Sequence, residues 1–379
     1  MPPPYNAGMS GHQVAVRGSG AVALAAALAL GRRGLSVALQ AELAEARVDV
    51  RAYALSAASI TLLQELKVWD ALPPDARTAV QDMRIHGDQP GAVLHFSAWS
   101  GALDALAWIV DAAELEAALR SAVRFAPHVQ LVGPGPVVAP LQVLAEGKDS
   151  AARAALGVKM PRAAYGQRGV AARLVADAPH AGLARQWFRS PDVLALLPFD
   201  RPQPQQSYGL VWSVPDARAD ELLALPDATF EQALMDATGG AAGKLTLASP
   251  RAAWPLALAR ADRVCGEGWV LLGDAAHLVH PLAGQGLNLG LADVVALDAV
   301  LADARAREPW RALGDARVLQ RYARRRAAPT AAMGQLTDGL LQLFASEQPL
   351  LRELRNRGLT LIDHLPPLKR WLVASARQA

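Results

Sequence analysis

The stretch from Trp269 to Val294 limits what this chain can fold into more than any other. Trp269-Val270-Leu271-Leu272 is an apolar run of strand length, and Gly273-Asp274 ends it. Pro281 to Gly286 holds too many special residues for a helix interior and reads as a loop. From Leu287 onward the apolar residues Leu291 and Val294 recur at helical spacing. Strand, loop and helix therefore follow one another, with glycines at 284, 286 and 290 around the helix start. Such a turn points free backbone N–H groups and the positive end of a helix dipole at whatever lies in front of it. Gly284 and Gly286 let a flat or anionic ligand approach the backbone closely, and Asp274 stands where it can accept hydrogen bonds from ligand hydroxyls. The bland alternative is an ordinary tight βα turn.

A second glycine cluster lies near the start. Val14-Ala15-Val16 reads as a strand, Ala21 to Arg33 as a helix closed by Gly34, and Val37-Ala38-Leu39 as the next strand. Between the first two stands Gly18-Ser19-Gly20-Ala21-Val22-Ala23. It is the G-x-G-x-x-A form of the dinucleotide fingerprint, whose third position serves helix–strand packing. Arg17, just before it, has two readings of equal weight: a tip that snorkels out of the sheet, or a cation near a pyrophosphate.

Gly273-Asp274-Ala275-Ala276-His277, Pro281 and Gly284-Gln285-Gly286-Leu287-Asn288 together resemble the second FAD motif of the aromatic-ring flavoprotein hydroxylases. These are the para-hydroxybenzoate-hydroxylase-like monooxygenases, and the best-matching branch hydroxylates 2-polyprenylphenols in ubiquinone biosynthesis. Asp49-Val50-Arg51-Ala52-Tyr53-Ala54-Leu55-Ser56 resembles that family's D-x-R-x-x-A-L-S segment. Ala145 to Arg153 resembles its A-D-G-x-x-S-x-x-R motif, with Glu146 in place of the Asp. The likeness covers nearly all of Gln13 to Leu372.

The resemblance implies a non-covalent FAD, NAD(P)H as electron donor, and O₂. One oxygen atom would pass to an electron-rich, prenylated phenol ring by way of a flavin C4a-hydroperoxide. It places Asp274 on the ribitol and the loop N–H groups of Gly286, Leu287 and Asn288 at the N1–C2 edge of the flavin. Gly18, Ser19, Gly20, Ala23, Arg51 and Gly273 complete the cofactor set. Pro281, Gly284, Gln285 and Gly286 line the reacting side, where water must be excluded. His277 is implied to be packing behind the flavin loop rather than a proton donor. The family closes its second strand with a Glu on the adenosine ribose. That place is Ala41 here, so Glu42 serves only if the strand end turns, since neighbours on a strand face opposite ways.

The expected architecture is α/β, a Rossmann-like FAD-binding domain interwoven with an antiparallel-sheet substrate domain. The first would take residues 12–75, 106–158 and 264–312, the second 76–105 and 159–263. A C-terminal helical region would take 313–379, with separate helices over Leu313 to Arg326 and Met333 to Phe344.

Composition closes off other classes. Apolar residues make up 52% of the 379, and mean hydropathy is +0.14, enough for a large core. The single cysteine, Cys265, excludes an internal disulfide or a cysteine-rich metal site, and no metal set is expected. Net charge is +3, and Arg324-Arg325-Arg326 lacks an aromatic platform, so it reads as a solvated helix face and not a nucleic-acid site. No run approaches the roughly 18 apolar residues of a membrane helix, which points to a cytoplasmic protein. Leu368, Trp371 and Leu372 beside Lys369 and Arg370 can rest on the inner face of a membrane, although packing on the body is an equal reading. Other ubiquinone-biosynthesis proteins are the expected partners. Two alternatives stay open: a related flavin monooxygenase for another aromatic substrate, and an FAD-poor scaffold. Met1 to Gly11 reads as a disordered leader.

Overall fold

A computed structural model describes residues 11–42, 49–87, 92–279 and 285–345. Its α-helices are, in chain order, α1 (Ala21–Arg32), α2 (Ala57–Glu65), α3 (Ala112–Phe125), α4 (Ala151–Ala155), α5 (Asp216–Ala224), α6 (Asp227–Thr238), α7 (Gln285–Arg307) and α8 (Ala316–Ala345). The expected leader lies almost entirely outside the described residues. So do Pro281, Gly284 and the C-terminal apolar stub.

The strands Val14–Arg17, Val37–Gln40, Val129–Val132, Leu141–Leu144 and Trp269–Leu271 run parallel in a six-stranded sheet. Cys265–Gly266 pairs antiparallel on its edge. Val14, Ala15 and Val16 are fully buried, as strands covered by helices on both faces must be. Helix α1 is apolar all round because it is enclosed: it packs on α3 and α7, with Leu24, Leu28 and Leu30 in the main core. Helix α3 begins where Asp111 accepts from the N–H groups of Ala113 and Glu114.

The second large sheet has nine strands. Its order runs from His277–Leu278 through Ala252–Arg260, Arg162–Ala176, Ser207–Pro215, Asp192–Phe199, Leu183–Arg189 and Asp82–His86 to Val93–Ser97. Leu245–Leu247 pairs with Arg162–Ala176 off this path. Helices α5 and α6 cover one face, where Trp187, Trp212, Phe230 and Leu234 form a second core. A small antiparallel sheet of Ala52–Leu55, Ala107–Asp111 and Arg77–Val80 lies between the two in the chain path. The chain thus passes repeatedly from one sheet to the other, the α/β architecture that the sequence leads one to expect.

Three features differ from the sequence expectation. Leu183–Arg189 pairs parallel with Asp82–His86, so the nine-stranded sheet is mixed. The expected pair of C-terminal helices is one helix, α8, which runs through Pro329. An interior proline costs about 3 kcal/mol, and the buried contacts of Val318, Leu319 and Tyr322 anchor the preceding turns. Arg326 is not on a solvated face: it is drawn into a buried ion pair.

Candidate cofactor and active site

The two glycine motifs meet through one side chain, Val22, in the first turn of α1. Gly273 follows the strand Trp269–Leu271 with φ +58°, and a Cβ there would lie 3.3 Å from Val22. A Cβ on Gly290 of α7 would come within 2.5 Å of Val22 and 3.3 Å of the Gly273 Cα. Helix α1, the Gly273 turn and α7 therefore pack closer than any side chain at 290 permits. Gly18 is fixed in the same way: at φ +130°, a Cβ would stand 2.2 Å from the Ala145 carbonyl oxygen. Ala23 is fully buried, its methyl group against Gly18.

What this packing leaves open matters as much. The N-cap of α1 is Gly20, which supplies no side-chain cap, and nothing lies within 4 Å of where its Cβ would be. Gly286, in the first turn of α7, likewise has nothing within 4 Å of a Cβ among the described residues. The Nε of Arg17, at the end of the strand feeding α1, is buried without a hydrogen-bond partner among the described residues. Asp274 is exposed and makes no hydrogen bond or ion pair among the described residues. Crowding by protein on its inner side raises its carboxyl, while His277, Arg51 and Lys148 act in the opposite sense. Uncapped N–H groups, an orphaned guanidinium nitrogen and a free carboxylate are the donor and acceptor set that a dinucleotide with hydroxyls and phosphates requires, and the site fits FAD.

Arg51 lies within electrostatic reach of Asp274. Its guanidinium holds Asp49 in a fork, Nε to Oδ1 at 2.9 Å and Nη2 to Oδ2 at 2.6 Å. It lies 5.5 Å from the Tyr53 ring centre and 5.6 Å from that of Trp254. Burial would lower Arg51, but the Asp49 carboxylate overrides it and holds the cation firmly charged. Burial pushes the Tyr53 hydroxyl up to about 12, so it stays protonated at neutral pH. Arg173, from the nine-stranded sheet, donates from Nη2 to the Arg51 carbonyl at 2.6 Å and to Asp111 at 3.3 Å, bracing the segment from below.

A buried carboxylate supports the turn from behind. Asp293 of α7 is 0% exposed and receives three donors. The Gly273 N–H (2.9 Å) and His277 Nε2 (2.7 Å) reach Oδ2, and Arg326 Nε (2.6 Å) reaches Oδ1. Burial pushes this carboxyl up, yet His277, Arg326 and the Gly273 N–H together hold it below the usual range. His277 is thus buried and turned to Asp293. Arg153 donates to the Ala275 carbonyl at 3.1 Å and to that of Lys148 at 2.9 Å. Glu146 accepts from Ser150 and the Ala152 N–H, capping α4. The Glu146 motif therefore clamps the turn by way of Arg153.

The structure distributes the other sequence candidates unevenly. Gly18, Ser19, Gly20 and Ala23 form the entry to α1, and Gly286, Leu287 and Asn288 the first turn of α7. Asn288 is buried, and its side chain is committed to α2: Oδ1 accepts from Ser56 N–H (3.0 Å) and Ser59 Oγ (2.7 Å), and Nδ2 donates to Ala54 O (2.8 Å). Ala41 packs on the main core, and Glu42, beyond the strand, is exposed. Gln285 opens α7. The sequence assigns no site role to Tyr53, Trp254 or Asp293, and it places Arg326 on a solvated face. Asp293 had a visible signal: it lies on the same helical face as Leu289 and Leu297, where a charge needs a partner.

Comparison with known proteins gives the family and the fold. Residues 109–337 match the family model described as FAD binding domain. The chain is 32% identical over 393 residues to 3-demethoxyubiquinol 3-hydroxylase of Escherichia coli, covering 94% of this chain and 96% of that one. It is 28% identical over 390 residues to ubiquinone hydroxylase UbiL of Rhodospirillum rubrum (96% and 89% covered). Among solved structures, p-nitrophenol 4-monooxygenase of Pseudomonas putida superposes with a TM-score of 0.76 at 17% identity (97% and 98% covered). HpxO of Klebsiella pneumoniae, solved with FAD and uric acid, gives 0.71 at 18% (98% and 99% covered). These two likenesses speak to the fold alone.

Proposed function

The chain belongs to the FAD-binding monooxygenase family that includes the ubiquinone hydroxylases, and from that premise we propose that it hydroxylates the ring of a prenylated phenol or quinol in ubiquinone biosynthesis. The observation that carries the reading is the contact of Gly273 and Gly290 with Val22, which brings both cofactor motifs and Asp274 to one place. The relatives over nearly the full chain supply the substrate class: a ubiquinone precursor, an aromatic head with a prenyl tail.

Gly18, Ser19 and Gly20 at the start of α1 would hold the phosphates, with Arg17 as a cation beside them. Asp274 would hold hydroxyls of the ribityl chain. The backbone N–H groups of Gly286, Leu287 and Asn288 would face the ring edge that gains negative charge, where a helix N-terminus stabilises it. FAD held there would supply the activation of O₂ and the transfer of one oxygen atom, with NAD(P)H as the proposed electron donor. Tyr53, protonated, and Trp254, on the nine-stranded sheet, flank Arg51 with their rings. His277 Nε2 is turned to Asp293 and takes no part in moving a proton to or from substrate. The substrate's tail partitions into membrane, so the enzyme would meet it at a membrane surface. Among the described residues no helix is long and apolar enough to cross one.

The direct test of this reading is turnover of a short-chain prenylphenol with NAD(P)H, the product identified by mass spectrometry. A hydroxylated ring is the expected result. Consumption of NAD(P)H with no hydroxylated product from any of a panel of such phenols would reject the substrate assignment.

A further inference from the structure

Helix α8 reaches the Gly273–Asp274 turn through a relay of buried polar groups. Arg326 donates from Nε to Asp293 Oδ1 at 2.6 Å and from Nη2 to the Leu289 carbonyl at 3.2 Å. Asp293 in turn accepts the Gly273 N–H, the residue before Asp274. One turn earlier on α8, the Tyr322 hydroxyl donates to the Leu271 carbonyl at 2.9 Å. The same helix thus grips the chain on both sides of Leu272, on the strand that delivers Asp274.

The charges close in a particular way. Asp293 is 0% exposed, and an ionised carboxylate there needs a compensating cation. Arg326 is a permanent one. His277 Nε2 is the other side-chain group on Asp293, at 2.7 Å. The remaining groups around this relay are Asp274 and His277 on the turn, Tyr322 on α8, and Arg153 at the Ala275 carbonyl. Arg51 and Lys148 act on Asp274, and Cys265 on Tyr322.

We propose that Arg326 and Asp293 are positioning residues for FAD: together they set the Gly273–Asp274 turn that presents Asp274. This rests on the FAD site described above, and it makes α8 part of the cofactor-binding apparatus.

FAD titrations followed by flavin fluorescence test it. Arg326→Met is expected to bind FAD about tenfold more weakly than wild type. Because Arg326 acts through the turn that presents Asp274, the same substitution in an Asp274→Ala background should cost little more than Asp274→Ala alone. Arg326→Lys keeps the charge but not the donor geometry; it should bind several-fold more weakly, with the same coupling to Asp274, and it carries the test if Arg326→Met does not fold. Wild-type affinity in the variant that folds overturns the proposal. So does a loss that is equally large with and without Asp274, which a merely structural role would give. Wild-type protein that takes up no FAD would instead defeat the functional reading.

Discussion

Asp274 is the residue on which the cofactor assignment can be tried most simply. It makes no bond within the described residues, so replacing it disturbs little else. Asp274→Ala should cost FAD binding a charge-assisted hydrogen bond, about 1.5–3 kcal/mol, measured as the shift in dissociation constant, while the melting temperature of the apoprotein stays near wild type. Asp293 makes the opposite kind of prediction. Its carboxyl is held below the usual value of about 3.9. A depressed carboxylate contributes stability that is fully present above the unfolded value and is lost as pH falls through the folded one. Thermal melts from about pH 6 down to pH 3 should therefore fall more steeply below about pH 4 in the wild type than in Asp293→Asn. That variant should be the less stable of the two at neutral pH, because it leaves Arg326 and His277 facing a neutral amide. Parallel curves would show that Asp293 is not the charge that the network is built on.

At the scale of elements, the contact of α1, the Gly273 turn and α7 decides whether the two motifs form one site. Gly290→Ala gains up to about 1 kcal/mol of helix propensity, but its methyl would stand 2.5 Å from a Val22 methyl. Val22 is stiff at χ1, and overpacking costs about 1–3 kcal/mol, so the clash should win. The expected outcome is a lower melting temperature and weaker FAD binding, both restored by Val22→Ala in the same chain. No change in either quantity for Gly290→Ala would mean that the three elements are not in contact. The glycine clusters at 18 and 273 were legible in the sequence because their spacing and flanking periodicity are local. The contact between them was not, since it depends on Val22, an unremarkable apolar residue about 250 positions from the second motif. The α8 helix was misjudged for a related reason: Pro329 is a strong local signal to stop, and packing against the body overrides it.

For the whole molecule, the interwoven path was legible, because parallel βαβ patterns and antiparallel strand patterns alternate along the chain with clear turn residues between them. The parallel pairing of Asp82–His86 with Leu183–Arg189 was not, since two strands about 100 residues apart leave no trace of their relative direction in either one. The same holds for Tyr53, Trp254 and Arg51, which come from two different sheets and converge only in the fold. The proposed activity places one atom of O₂ on a prenylated aromatic ring. The measurement that tests it most directly is turnover of a short-chain prenylphenol under ¹⁸O₂ with FAD and NAD(P)H, read by mass spectrometry. One ¹⁸O atom per hydroxylated ring is the predicted result. Label found only in water and hydrogen peroxide, with the ring unchanged, would contradict it.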